Sequence, residues 1–289
     1  MNLEWKRKPS PKTGGKRDGV KLMERCGVPY LAFPSLEETG MVKHAFSTRL
    51  GGVSEGKFST MNFTFTRGDN PEHVMENYRR MAAALEVDVD RMVLSWQTHT
   101  TNIRKVGEED AGKGIKKERD YQDVDGLITN VPGITLVTFY ADCVPLYLAD
   151  PVNRAIGLVH SGWKGTAGRI GQAAIDAMGR EYGTKAEDLI ACIGPSICQD
   201  CFEVGEEVVR EFRIAFDPGY WTELSYKKGS GKHQLNLWRA NQIIFEEAGV
   251  RRENIHTTDI CTHCNPQYLF SHRTAGNERG NLAAFLCLV

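Results

Sequence analysis

Short apolar runs, more than long amphipathic stripes, set the rhythm of this chain. Val42-Lys43-His44-Ala45-Phe46-Ser47-Thr48 reads as a strand that enters the glycine-rich turn Arg49-Leu50-Gly51-Gly52-Val53-Ser54-Glu55-Gly56. Residues 71–85 carry helical spacing, with Asn70 placed to cap the first turn. Residues 91–96 form a short strand that ends on Gln97-Thr98-His99. The run TLVTFYADCVPLYL at 135–148 is β-rich but interrupted at Ala141-Asp142-Cys143. A buried strand follows at 155–159, then a helix at 166–182 with Ile170, Ala173, Ala174 and Ala177 on its apolar face. A strand at 189–193, helices at 204–212 and 235–248, and a closing strand at 281–289 complete the pattern. Strands and helices are interspersed and no compositional break divides residues 40–289, so the expected fold is one mixed α/β (α+β) domain, a mixed sheet flanked by helices.

The N-terminus departs from this pattern. Residues 1–25 hold eight Lys/Arg against three Asp/Glu, two prolines and a Gly-Gly, which predicts a basic, loosely ordered arm before a folded domain at 26–289. An edge strand is the plainer alternative for that arm. Over the whole chain the net charge is only −1, which argues against nucleic acid or an anionic membrane as a partner. No apolar run approaches the roughly 18 residues of a membrane span, and no apolar segment follows the N-terminal charges as in a signal peptide. The expected address is the cytoplasm, where the eight cysteines would be thiols.

Three strand ends finish on soft-metal donors: His99, Cys143 and His160. Strand ends of α/β sheets converge on one crevice, so two imidazoles and one thiolate there would make a three-ligand site with an open position. That set suits a catalytic zinc, and copper can use it too. Spacing alone does not specify it, because 43 residues separate His99 from Cys143 and 16 separate Cys143 from His160. Buried residues near turns are the bland alternative.

A rival cluster is the pair of CxxC motifs, Cys198/Cys201 and Cys261/Cys264. On paper this is a structural Cys₄ zinc site. The 59 residues between the pairs, longer than a zinc ribbon and containing a full helix, favour buried thiols instead. For anion binding, Arg49 stands out beside Ser47, Thr48 and two glycines, as suits a phosphate or carboxylate contact. Lys164 and Arg273 are further cationic candidates, and Trp163 a stacking candidate, each with a structural role as the simpler reading.

Taken together, FSTRxGGVSxGxFxxxN (46–62), QTH (97–99), TxxxADCVPLYLAD (138–150), GLVHSGWKGT (157–166), IGPSIxxxCFEV (193–204) and CT…FSHR (261–273) occur in the order seen in the YfiH/YlmD-like family. That is the laccase-domain or multicopper polyphenol oxidase family, regarded as purine nucleoside phosphorylases. The resemblance spans nearly everything from residue 40 onward. It implies a single α/β domain related to a toxin deamidase with Cys-His chemistry, and it makes His99, Cys143 and His160 both metal ligands and catalytic residues. It also implies phosphorolysis of adenosine, guanosine or inosine and of methylthioadenosine, with deamination of adenosine, by a zinc (or copper) protein; a monomer is the expected state, which the sequence does not fix. Arg49, Ser47 and Lys164 are then the expected substrate contacts, with Arg49 orienting phosphate. One departure is visible: the family often has a T-G-R triplet after the final arginine, whereas this chain reads Thr274-Ala275-Gly276-Asn277-Glu278-Arg279-Gly280, and Arg279 is not counted in the site.

Two other activities compete. A true multicopper oxidase needs several His-x-His pairs; this chain has eight histidines, none so paired. A metal-free Cys-His hydrolase acting on a cell-wall precursor would use Cys143 as nucleophile and His160 as base. A binding module built on the CxxC pairs is the weakest reading.

Overall fold

The computed structural model describes residues 3–8 and 19–289. Two six-stranded sheets face each other. The first has the order Lys21–Arg25, Val28–Ala32, Val42–Ser47, Leu282–Leu288, Thr135–Tyr140, Met92–Leu94. The second has the order Ile255–Thr257, Ile190–Ile193, Val144–Asp150, Ala155–Ser161, Gly126–Thr129, Ile103–Lys105. Both mix parallel and antiparallel pairs. The mixed α/β class is therefore as the sequence reads, but the single expected sheet is two large ones and a small antiparallel one of Glu203–Val204, His233–Leu235 and Ser225–Lys227.

Strand alternation explains the layers. Phe46, Leu136, Tyr140 and Leu286 of the first sheet meet Tyr147, Ile156 and Leu158 of the second in one buried cluster. The opposite faces, Ala45, Val137 and Phe285, pack under helix Pro71–Leu85. Likewise Leu146, Leu148 and Val159 pack under helices Ile170–Tyr182 and Leu237–Glu247. Because these strands are covered on both faces, they read as continuous apolar runs instead of alternating ones. Each fully buried Phe or Leu side chain contributes about 1.5–3 kcal/mol.

Helix Pro71–Leu85 starts where expected: Asn70 Oδ1 accepts from Glu72 N at 3.0 Å, and Pro71 sits where its missing N–H costs nothing. The helix expected at 166–182 is instead two, Trp163–Ala167 and Ile170–Tyr182, broken at Arg169, which takes φ +61°. The longer helix then packs against strand Ala155–Ser161. Part of the expected basic arm is a strand, since Lys21–Arg25 pairs antiparallel with Val28–Ala32 at the edge of the first sheet. Residues 6–8 also bond to the loop at 259–265, through Lys6 N to Asn265 Oδ1 at 2.8 Å and Lys8 N to Asp259 O at 2.7 Å. The middle of the arm, 9–18, lies outside the described residues.

Topology places the site. Met92–Leu94 belongs to the first sheet and Ile103–Lys105 to the second, so the segment carrying His99 crosses between them. Thr135–Tyr140 and Val144–Asp150 are likewise in different sheets, so Ala141-Asp142-Cys143 is also a crossover. The interruption in the β-rich run is this change of sheet.

Candidate active site

Register brings the three donors together. Strand Ala155–Ser161 lies between Val144–Asp150 and Gly126–Thr129, with Pro145 opposite His160 and Gly126 opposite Val159. His160 is therefore flanked by Cys143 on one side and Asp125 on the other. His99 closes the group from the first crossover, its Nε2 3.8 Å from Cys143 Sγ. One donor atom from each of His99, Cys143 and His160 lies within 4.8 Å of the others, close enough to share one ion. Gly162 is required here, because a Cβ on it would stand 2.7 Å from the His99 ring and 3.2 Å from Cys143 Sγ. The turn glycine thus makes room for the donors.

Asp125 organises the site, and the sequence reading passed over it. Its fully buried carboxylate accepts from the backbone N–H of Thr98 (3.0 Å), His99 (3.0 Å) and Thr100 (2.9 Å), and from the Thr100 hydroxyl (3.0 Å). These bonds hold His99 at φ +65°, a backbone conformation unusual for a residue with a side chain. The same carboxylate meets His160 Nδ1 at 2.7 Å, which fixes the Nδ1–H tautomer and leaves Nε2 free to face Cys143. A carboxylate behind a ligating histidine is the usual support of a metal site. The local clue was an Asp-Gly step immediately before a buried strand.

Charge follows this geometry. Burial alone would raise the Asp125 carboxyl, but His160 and the Thr100 and Thr98 N–H groups outweigh it and hold it at about 2. Burial would lower His160; the neighbouring Cys143 thiolate and Asp125 instead raise it to about 9. Burial would raise Cys143, and the two imidazoles bring it down to about 6. These shifts favour a thiolate beside an imidazolium, and the same two side chains could serve as metal ligands.

Asp142 shapes the Cys143 turn. It takes φ +85°, and its carboxylate accepts from Thr262 Oγ1 and from Arg273 N, each at 2.6 Å. The donors form the floor of a cavity of about 580 Å³, within the range of small-molecule sites. Phe65, Trp96, Phe139, Trp163 and Phe202 contribute aromatic surface to it, and Arg67, Arg119, Arg273 and Arg279 contribute charge. Arg119 donates to Ser95 O at 2.6 Å and lies over the Trp96 ring. Arg273 donates to Glu203 O at 3.0 Å. Arg279 is buried, and its Nε has no hydrogen-bond partner. Burial, and then the nearby charge of Arg67, depress the Arg279 guanidinium to about 10. Arg279 Nη1 donates to Gly280 O at 3.0 Å and to Asn281 Oδ1, and an anion in the cavity would offset the repulsion from Arg67.

The expected substrate contacts are not brought to this cavity. Ser47 is buried within its strand, where its Oγ accepts from Ala283 N at 2.9 Å. Arg49 donates Nε to Ser59 O at 2.8 Å and Nη1 to Pro266 O at 3.0 Å, and stacks on Phe270. It ties loops together. Lys164 is exposed, with its ammonium over Trp163 and outside the cavity lining. Arg279, left out of the site on sequence register, lines the cavity; no local signal marked Arg67.

The CxxC pairs are also brought together. Strands Ile190–Ile193 and Ile255–Thr257 are parallel neighbours, so the loops after them emerge side by side, and the four Sγ atoms of Cys198, Cys201, Cys261 and Cys264 lie within 4.8 Å of one another. The long gap is spanned by topology, so sequence distance does not separate the pairs.

A family model described as multi-copper polyphenol oxidoreductase laccase matches residues 43–289. A purine nucleoside phosphorylase of Bacteroides thetaiotaomicron is 35% identical over 255 residues, covering 87% of this chain and 93% of that protein. Adenosine deaminase RL5, from an unknown prokaryotic organism, is 35% identical over 239 residues, covering 82% and 90%. Among solved structures, Bacillus licheniformis YfiH superposes with a TM-score of 0.86 at 29% identity, covering 93% of this chain and 99% of that one. No helix among the described residues is long and apolar enough to cross a membrane. The chain belongs to the multi-copper polyphenol oxidoreductase laccase family, whose members similar to it carry the names purine nucleoside phosphorylase and adenosine deaminase.

Proposed function

We propose that this protein is a metal-dependent purine nucleoside phosphorylase acting on adenosine, guanosine or inosine and methylthioadenosine, with an adenosine deaminase activity in the same pocket. The observation that carries the reading is one cavity with His99, Cys143 and His160 at its floor and the buried Arg279 and nearby Arg67 in its wall. The donor set fits zinc: three soft ligands, a carboxylate behind one imidazole, and an opening toward the cavity. Copper can occupy the same set. A bound divalent ion would supply Lewis acidity toward a purine substituent or water.

The protein's own groups supply the rest. Aromatic walls at Phe65, Trp96, Phe139 and Phe202 take the planar base. Arg279 and Arg67 take phosphate and orient it toward the anomeric carbon, replacing Arg49 in the role the sequence suggested. Asp125 keeps the Nδ1 proton on His160, so the imidazole stays oriented throughout. Cytoplasmic location agrees with the unpaired thiols of all eight cysteines.

The test is product analysis with adenosine, with and without phosphate, before and after chelation. Phosphate-dependent adenine, lost on chelation and restored by zinc, is the expected result. No turnover of adenosine, inosine or methylthioadenosine by the zinc-loaded protein overturns the proposal. A second reading, the metal-free Cys-His hydrolase, is favoured by the Cys143 thiol at about 6 and the His160–Asp125 bond at 2.7 Å. Its activity would survive chelation and be lost on alkylation.

A further inference from the structure

We infer that Cys198, Cys201, Cys261 and Cys264 hold a second, structural zinc ion, distinct from the open site and independent of the reaction proposed above. The geometry carries this. Zinc–thiolate bonds of about 2.3 Å in a tetrahedron put sulfurs about 3.8 Å apart. Here all four Sγ atoms fall within 4.8 Å, and Cys201 Sγ is 3.5 Å from Cys264 Sγ. All four are free thiols.

The surroundings are those of a closed thiolate site. Cys198 N donates to Cys261 Sγ at 3.3 Å, an N–H···S bond that stabilises a thiolate over a thiol. Cys201 N donates to Cys198 O at 3.1 Å, so the first pair is wound into a tight turn with both sulfurs on one side. Cys198 and Cys261 are buried in the helix-covered core, and Cys201 and Cys264 pack against it. Among the described residues no histidine or carboxylate joins the group, and it does not line the cavity. Four thiols would lose their protons on binding, leaving a site of net charge −2. Asp200, within the first CxxC loop, has its own charge paired by the Lys8 ammonium at 3.1 Å, so it adds little to that charge.

The ion would clip two loops that both reach the catalytic turn. Ile197, next to Cys198, donates its N–H to Asp142 O at 3.0 Å. Thr262, next to Cys261, donates its hydroxyl to Asp142 Oδ1 at 2.6 Å. Asp142 precedes Cys143. The closed site therefore braces the open one from behind without touching substrate.

The experiment is zinc counting by mass spectrometry on reduced, zinc-replete protein, after gel filtration against a weak chelator. The variants are wild type, a His99→Ala/Cys143→Ala protein that lacks the open site, and Cys201→Ser/Cys264→Ser. About one zinc per chain in the His99→Ala/Cys143→Ala protein is expected, released only when a mercurial titrates the thiols. Cobalt in the same protein should give the intense thiolate charge-transfer and tetrahedral bands of a Cys₄ site. The serine double variant should lose one equivalent relative to wild type. If it fails to fold, the first variant still decides the matter. A His99→Ala/Cys143→Ala protein that is folded but free of zinc, that holds iron there instead, or whose four cysteines are found as two disulfides overturns the inference. None of these readouts depends on nucleoside turnover, so loss of the phosphorylase reading would leave the count standing.

Discussion

The two cysteine-bearing clusters differ in donor chemistry, and the difference separates the site proposed for catalysis from the one proposed as a scaffold. At the open site there are two imidazoles and one thiol, His99 is exposed, and a cavity of about 580 Å³ lies above the donors. At the closed site there are four thiols, two of them buried, with apolar side chains around them. Three donors leave a position for water or substrate, whereas four sulfurs complete a tetrahedron. The supporting groups differ as well: Asp125 tunes and orients an imidazole, whereas a backbone N–H suffices for a thiolate. The two clusters meet at Asp142.

The largest expected effect that tests this contrast is at the open site. Cys143→Ala should lower phosphate-dependent adenine release by about 10³-fold or more while one zinc per chain remains; full activity in that variant would remove the thiolate from the chemistry. Next is Asp125→Asn, which replaces one acceptor oxygen of the buried carboxylate with an NH₂ facing the donors around it. Metal affinity, measured by chelator competition, should fall about 10–100-fold, with zinc at the closed site unaffected.

Arg279→Gln comes third. Removing one charged partner of a bound anion costs about 1.5–3 kcal/mol, so the phosphate KM should rise about 10- to 100-fold, with a smaller effect on adenosine deamination. An equal loss in both reactions would point to a structural role for Arg279.

A pH experiment on chelated protein sharpens the comparison further. Burial raises the Cys143 thiol but His160 and His99 bring it down to about 6, whereas burial and the neighbouring cysteines push Cys201 up to about 12. A lowered value means thiolate above it, so alkylation of Cys143 should climb from pH 5 to about 7 and then level off. Cys201 should stay slow across that range, held by zinc where the closed site keeps its ion and raised by burial where it does not. Peptide mass mapping of the alkylated sites reads both.

The smallest effect concerns a residue that the sequence favoured. Lys164→Ala should change the phosphate KM by less than about twofold, since the side chain is exposed and outside the cavity. A tenfold change would return it to the site.

How much was legible beforehand depends on the range of the interaction. The strands at Val42–Ser47, Thr135–Tyr140 and Ala155–Ser161, the Asn70 cap, and the placing of His99, Cys143 and His160 at strand ends as candidate donors follow from patterns a few residues long. Apolar period, capping chemistry and donor type are local properties, and so the sequence determined them. Pairings across the fold were decided by tertiary structure. Asp125 reaches His160 because Gly126–Thr129 lies beside Ala155–Ser161, and Arg279 reaches the cavity through the loop before the last strand. The two CxxC pairs meet because Ile190–Ile193 and Ile255–Thr257 are parallel neighbours, although 59 residues separate them along the chain. Conversely, Arg49 carries an anion-binding residue type in a glycine-rich turn, yet its hydrogen bonds go to the carbonyls of Ser59 and Pro266. A guanidinium has no fixed partner until the backbone around it is folded, and register and sheet crossover, which leave no periodic mark on the sequence, assign that partner.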